Sequence, residues 1–337
     1  MSVLLRKFAS YLKSNPDGSS FQVVLQPDSD DDSSRGSVEP PVVSQAEIVE
    51  GSGMQAHPVG QTSGTRFTHF LDGAQTTRRV CYYQHSVPIV YGFIGAVIRK
   101  RDIDRCMSTY DKEFQENLYQ PSCHLDTSGL KTAGLELRDV KIRSGEKSDS
   151  NDIHPLRLLE LARQTISNDR AELERELAER WVESSSPEDW LFWDGSITGS
   201  VEASKHPRVV GVIKSHQTQY FGVEEQRKIL SLKVGERSSI FQPRGKDWTP
   251  VYSWYLRLHS NEGRDLYFGL IRIEAMAGPE TLKMADEISR WLLAERSPLA
   301  LPDGRWDKMI YPIRDCEQYL RSIMPTKVAI EAALAGV

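Results

Sequence analysis

The sequence predicts an α/β protein in which a mixed β-sheet is covered by helices. Three apolar strands open the ordered part of the chain near residue 66. A long charged segment with an apolar stripe follows, and short strands of buried type then lead into two late helices. With 337 residues, 39% hydrophobic and 26% charged, the chain is long enough for a substantial core, and wholesale disorder or a fibrous repeat is excluded.

Each element has its own local cause. Residues 1–13 place Val3, Leu4, Phe8, Tyr11 and Leu12 at helical spacing among basic residues, which reads as a short amphipathic helix docked on the main domain, with a partner or dimer contact as the alternative. Residues 14–65 turn to Ser, Asp, Gly and Pro, with the runs DSDDDSS and EPP. They read as a flexible acidic linker with one strand at FQVVL, a solvated tether rather than a mimic of DNA. A single domain is expected over 66–337, carrying an insertion at about 124–155. RFTHFLDGAQ reads as a strand ending in a turn, and RRVCYYQHSVPIVYGFIGAVIRK as two further strands joined around Ser86 and Pro88. Together they suggest an antiparallel meander. Residues 105–130 look partly helical, and the stretch containing GEKSDSND reads as loop. In LRLLELARQTISNDRAELERELAERWVESS, Ser167-Asn168-Asp169 suggests a break between two helices, the second packing through Leu173, Leu177 and Trp181. DWLFWDGSITGS and PRVVGVIKSH read as buried strands, followed by strands at SSIFQP, VYSWYLRLH and DLYFGLIRIEA. A helix at ETLKMADEISRWLLAER and a terminal helix from near Asp315 complete the order.

Charge and cysteine usage narrow the function. The 42 basic and 47 acidic side chains leave a net charge of −5, so contact with nucleic acid requires a local basic groove. Cys81, Cys106, Cys123 and Cys316 form no CxxC pair, which speaks against a zinc ribbon or a disulfide framework and for reduced thiols in the cytoplasm. The apolar stretch from Val87 to Ile98 is interrupted by Pro88, Gly92 and Gly95 and is too short to span a bilayer as a helix. The first residues lack the pattern of a signal peptide. No membrane association is expected.

Two segments share a design. FTHFLDGAQ and DWLFWDGSI each carry an apolar strand into an Asp-Gly step, at Asp72 and Asp194. One such step is an ordinary turn. Two of them, with an acidic helix before the second, suggest carboxylates fixed at the rim of a sheet. The helix offers Glu172, Glu174, Glu176 and Glu179, and surface pairing with Arg175 and Arg180 accounts for any one alone. Glu172 stands out by lying in the opening turns beside Leu173. Three converging carboxylates would form a hard-oxygen site suited to Mg²⁺ or Mn²⁺.

Asp72, the strand meander, the helix DRAELERELAERW and Asp194 follow the order of a ribonuclease-H-like core, and FLDGA, LFWDGSI, VVGVIKSH and YPIRDCEQYL resemble the NurA family of DNA-end-processing nucleases. The resemblance covers about residues 66–325. It implies a metal-dependent nuclease with Asp72, Glu172 and Asp194 as ligands of Mn²⁺ or Mg²⁺, two ions in all, and Glu176 as the reserve for the helix position. In YPIRDCEQYL the place of a histidine in many relatives is taken by Glu317, or by Asp315 if the register shifts. Ala74 stands where serine is common. For such chemistry Lys214 is placed to meet a phosphate and His216 to orient substrate or move a proton, with a solvent-facing strand end the plainer reading of each. Arg78, Arg79, the run Arg99 to Arg101, Arg244 and Lys246 beside Trp248 suit a phosphate backbone with unpaired bases, although solvated strand ends explain each singly. Trp190, Trp193 and Trp254 read as core.

The resemblance further implies an end-trimming exonuclease, with single-strand endonuclease activity as an option, acting as a homodimer on DNA beside a HerA-like hexameric ATPase in repair or antiphage defence. The sequence contains no GxxxxGK[ST] loop, so translocation would need a separate motor. Two other readings stay open: a catalytically decayed scaffold, favoured by the absent histidine, and a metal-dependent phosphodiesterase acting on RNA or nucleotides.

Overall fold

The computed structural model describes residues 2–14, 21–23, 42–61, 64–121, 128–135, 137–140, 154–244, 249–296 and 310–335. The strands in chain order are β1 (Phe21–Val23), β2 (Val42–Val43), β3 (Gln45–Ile48), β4 (Ala56–Pro58), β5 (His69–Tyr83), β6 (Val87–Arg101), β7 (Met107–Gln120), β8 (Leu137–Asp139), β9 (Leu191–Trp193), β10 (Val209–Ile213), β11 (Thr218–Gln219), β12 (Glu236–Ser238), β13 (Phe241–Arg244), β14 (Val251–Arg257) and β15 (Leu270–Met276). The helices are α1 (Val3–Ser14), α2 (Ser128–Thr132), α3 (Pro155–Ser184), α4 (Val201–Lys205), α5 (Val223–Leu230), α6 (Pro279–Glu295), α7 (Tyr311–Ile323) and α8 (Lys327–Leu334).

The expected mixed sheet with flanking helices is present. Thirteen of the described strands form one sheet whose main path runs β3-β13-β14-β15-β10-β9-β5-β6-β7-β8. Most neighbours are antiparallel, but β9 lies parallel to both β5 and β10. Side chains alternate across a strand, and β5 shows the consequence. Phe70 joins Phe192, Trp254, Trp291 of α6 and Leu320 of α7 on one face. Leu71 joins Leu173, Leu177 and Trp181 of α3 on the other. The sheet is therefore the middle of three layers, with an apolar core on each face. Helix α1 buries Leu5, Phe8 and Leu12 against Val80, Ile89 and Ile330 of α8, as its spacing suggested.

Four local expectations are corrected. Ser167-Asn168-Asp169 does not break the helix: α3 runs unbroken for 30 residues. Asp169 is engaged from outside the helix, by Tyr119 at 2.9 Å and by Arg138 at 3.1 Å, while Ile166 and Leu173 on either side are buried. Tertiary contacts thus outweigh local helix propensity. Most of residues 105–130 is strand, because β6 needs a partner along its second edge and β7 supplies one. Asp72-Gly73 is not a turn. Strand β5 continues through it to Tyr83, with Asp72 opposite Val97 and Gly73 opposite Ala96. Finally, residues 42–58 are tied into the fold: β3 pairs with β13 and β4 with β12, and Glu50 meets the buried Arg237 at 2.7 Å. The tract Asp28 to Ser34 and the loop around GEKSDSND lie outside the described residues.

Candidate active site

Parallel pairing brings the two aspartates together. His69 aligns with Leu191 and Leu71 with Trp193, so Asp72 and Asp194 are the next residues on adjacent parallel strands. The backbone N–H of Asp194 donates to the Leu71 carbonyl at 3.0 Å, which fixes that register at its end. β9 stops there, and the chain turns through Gly195 and Ser196 across β10. Gly211 makes room for this turn: a methyl group there would sit 2.7 Å from the Gly195 carbonyl. β10 ends at Ile213, and the following Lys214 donates from Nζ to Asp194 Oδ2 at 2.6 Å. Asp194 and Lys214 thus lie just past the carboxyl ends of the parallel strands β9 and β10, where open α/β sheets form ligand crevices, and Asp72 stands beside Asp194 within β5.

The helix carboxylate at this site is Glu174. Glu172 projects outward and is held by Arg175 on its own helix, so the expectation placed on it is corrected by the phase of α3. Glu174 is 5% exposed and lies against Gly73, where any side chain would overlap its Oε1. Its Oε2 accepts from Trp193 Nε1 at 3.3 Å, and Oε1 accepts from Arg170. Glu179, which accepts from Arg175 and Ser200, belongs to the surface network of the helix. The spacing did contain the signal: Glu174 precedes Leu177 by three and Trp181 by seven, which puts it on the buried stripe.

Helix α7 closes the other side. Cys316 donates from Sγ to the Phe70 carbonyl at 3.3 Å, anchoring the helix over β5. Asp315 is taken by Arg99 at 2.6 Å. Glu317, the neighbour on the other side of Cys316, acts electrostatically on both Asp72 and Lys214. Of the two α7 candidates, Glu317 is the one whose charge is felt at Asp72 and Lys214.

The charge balance is strained. Asp72 is 7% exposed, and its carboxyl is held well above the usual range by burial first and by the charge of Asp194 next. Lys214 opposes these effects, while Glu174 and Glu317 add to them. Burial likewise raises Glu174 against the pull of Arg170. Lys214 moves the other way for a cation being desolvated: burial disfavours its charge, yet Asp194, Asp72 and Glu317 together push it upward. The centre attracts positive charge beyond what its own side chains supply.

This bears on the divalent ion implied by the resemblance. Among the described residues no group of three or more His, Cys, Asp or Glu side chains stands as a ready set of ligands. Two of the carboxylates are instead held by cations of the chain, Asp194 by Lys214 and Glu174 by Arg170. The donors nevertheless fit such an ion in kind: all are hard oxygens, and the charge of Asp194 is, after burial, the second cause of the raised carboxyl of Asp72.

No family model matches the sequence, and no curated protein matches it. The fold is similar to that of a solved NurA nuclease. That structure, the NurA nuclease from Sulfolobus solfataricus, matches over 97% of this chain and 90% of its own, with a TM-score of 0.46 and 11% identity.

The remaining candidates are dispersed. Arg78 is buried and paired with Glu331 of α8 at 3.1 Å, and Arg79 donates to the Tyr82 hydroxyl at 3.0 Å, both far along β5 from Asp72. Arg244 pairs with Glu47 at 2.6 Å in an exposed contact. Lys246 and Trp248 lie outside the described residues. His216 stacks on Tyr267, ring centroids 4.8 Å apart, and its Nε2 lies 2.9 Å from the Leu270 carbonyl, so the ring is braced within the fold. Trp190, Trp193 and Trp254 are buried, as expected. Sequence reasoning missed Arg272 and Glu274, a buried pair at 2.6 Å on β15. Two opposite charges two residues apart inside an apolar strand share one face, which was the available signal.

Among the described residues no helix is long and apolar enough to cross a membrane.

Proposed function

We propose that this chain is a metal-dependent nuclease hydrolysing DNA phosphodiesters, with Asp72 and Asp194 holding Mn²⁺ or Mg²⁺ and Glu174 as the third carboxylate. The observation that carries the reading is the parallel register of β5 and β9, which sets Asp72, within β5, beside Asp194, just past the end of β9, with Asp72 buried. Divalent ions bound there would supply Lewis-acid activation of water and of the leaving oxygen. The side chains account for the rest. Strands hold the aspartates rigidly, so little reorganisation is needed when a charged substrate arrives. Lys214, released from Asp194, is within reach of a phosphate oxygen and would neutralise part of its charge. Asp194 holds Lys214 in place and, with Asp72 and Glu317 adding to it, favours its charged form. Trp193 and Arg170 fix the orientation of Glu174.

One observation favours a second reading, a decayed scaffold: Lys214 and Arg170 already neutralise Asp194 and Glu174. Incubating the purified chain with single- and double-stranded DNA and Mn²⁺, beside Asp72→Ala and Asp194→Ala, separates the two. Cleavage lost in both folded variants supports the nuclease; cleavage persisting in both rejects this centre. An inactive wild type, tested alone and with a motor, points to the scaffold. End-trimming in a homodimer with a HerA-like hexameric ATPase, in repair or antiphage defence, is part of the proposal and rests on the sequence resemblance. Sedimentation of the chain alone and with such an ATPase tests that part.

A further inference from the structure

On the far side of Asp194 from Asp72 lies a second feature, a pocket of about 480 Å³ that shares Asp194 and Lys214 with the centre. Its size falls within the range of pockets that hold one small ligand, roughly 300–1,000 Å³. The base is built from β15. Arg272, 8% exposed, donates from Nη1 to Glu274 Oε1 at 2.6 Å and to the Ser253 hydroxyl at 3.3 Å, and its guanidinium lies over the Tyr220 ring at 5.2 Å. One edge of the fork is thus fixed by protein acceptors while the residue borders the pocket. Glu274 is fully buried and satisfied: beside Arg272 it accepts from the Ser196 hydroxyl at 2.7 Å and from the Ile197 N–H at 3.1 Å. It therefore pins the turn that follows Asp194. The four charges bordering the pocket form two ion pairs, Lys214 with Asp194 and Arg272 with Glu274, and so cancel. Both hydrogen bonds of Arg272 to protein acceptors leave from Nη1, so the lining offers a ligand the other edge of that guanidinium and the hydroxyls of Thr198, Ser215 and Thr218.

A phosphate joined to a sugar suits that lining, and the pocket borders the centre through Asp194 and Lys214. We infer that this pocket is the subsite for the nucleotide flanking the scissile phosphate, with Arg272 as the contact to that nucleotide's outer phosphate. This rests on the nuclease reading for its place in a reaction, but binding can be measured without any reaction.

The test uses thymidine 5′-monophosphate (dTMP) as probe, in EDTA, by calorimetric titration of the full chain. The wild type should bind dTMP at least tenfold more tightly than thymidine. Two variants should each weaken dTMP at least tenfold: R272M/E274Q, which removes the buried charges together so that neither is stranded, and T198W, which fills the rim from a half-buried position and leaves the ion pair intact. Should the double variant fail to fold, T198W decides. Equal binding of dTMP and thymidine, or dTMP binding unchanged in the folded variants, overturns the subsite. The two readings fail separately. DNA cleavage that depends on Asp72 with no phosphate-dependent dTMP binding removes the subsite alone, whereas dTMP binding lost in T198W without any cleavage by the wild type removes the nuclease and keeps the pocket.

Discussion

Replacing Asp72 by Asn should stabilise the ion-free protein, an unusual outcome for a buried polar residue. Neighbouring strands lie ~4.8 Å apart, so the Asp72 and Asp194 carboxylates repel across about 5 Å, or roughly 3 kcal/mol at an effective dielectric of ~20. Lys214, 2.6 Å from Asp194, offsets part of this at Asp72. Desolvation, the larger cause, adds to what remains, and since a buried Asn keeps a desolvation cost of its own the expected gain for Asp72→Asn at pH 7 is about 1–2 kcal/mol. Asn also keeps the oxygen that accepts the Gly73 N–H at 2.8 Å. At about 2.1 cal/mol/K of unfolding entropy per residue, the midpoint should rise by roughly 1.5–3 °C. The pH dependence has a definite sign. The Asp72 pKa is raised above 3.8 in the folded protein, so its penalty is absent below that value and grows as pH rises through the folded pKa. The advantage of Asn should accordingly vanish near pH 4. Adding Mn²⁺ at about a hundred times its Kd should stabilise the wild type by about 2.7 kcal/mol and the variant far less. Thermal melts at pH 4 and 7, with EDTA and with Mn²⁺, read all four values. A lower midpoint for Asp72→Asn in EDTA at pH 7, or equal Mn²⁺ shifts in both proteins, would refute the reasoning.

Three further outcomes are expected. Glu174→Gln should slow DNA cleavage by about 100-fold or more, roughly 2.7 kcal/mol of barrier, while Glu172→Gln stays within about twofold; initial rates on single-stranded DNA distinguish them, and the reverse ranking would return the role to Glu172. Gly73→Ala should cost about 1–3 kcal/mol because its methyl overlaps Glu174, and under about 1 kcal/mol in a Glu174→Ala background; urea midpoints that show no such coupling contradict the close approach. His69 is fully buried, and burial lowers its pKa from 6.5 to about 4, so the folded protein binds fewer protons there than the unfolded chain. Its contribution should be intact above pH 6.5 and lost as pH falls towards 4, by about 2–3 kcal/mol; urea titrations across that window should show a shallower decline in His69→Gln.

Local pattern alone carried the layered α/β class, the apolar strands that bear Asp72 and lead to Asp194, the packing stripe of α3 and a late helix, because each is written in a period of two or about three and a half residues. It was silent or misleading wherever a partner distant in the chain decides. Asp72-Gly73 looks like a turn until β6 is seen continuing beside it. Ser167-Asn168-Asp169 looks like a break until Tyr119 and Arg138 are seen holding Asp169. The charged β7 segment becomes strand only by completing the edge of β6. Which glutamate faces the centre depended on the rotation of α3 about its axis, which the packing of Leu173, Leu177 and Trp181 sets. The Arg272 pocket exists only because β15 lies antiparallel beside β10, opposing Arg272 to Ile213 and Glu274 to Gly211 beneath the turn after Asp194. Local pattern fixes which face a side chain occupies; what stands opposite that face is fixed by sheet register and helix packing, and these are contacts between residues far apart in the chain.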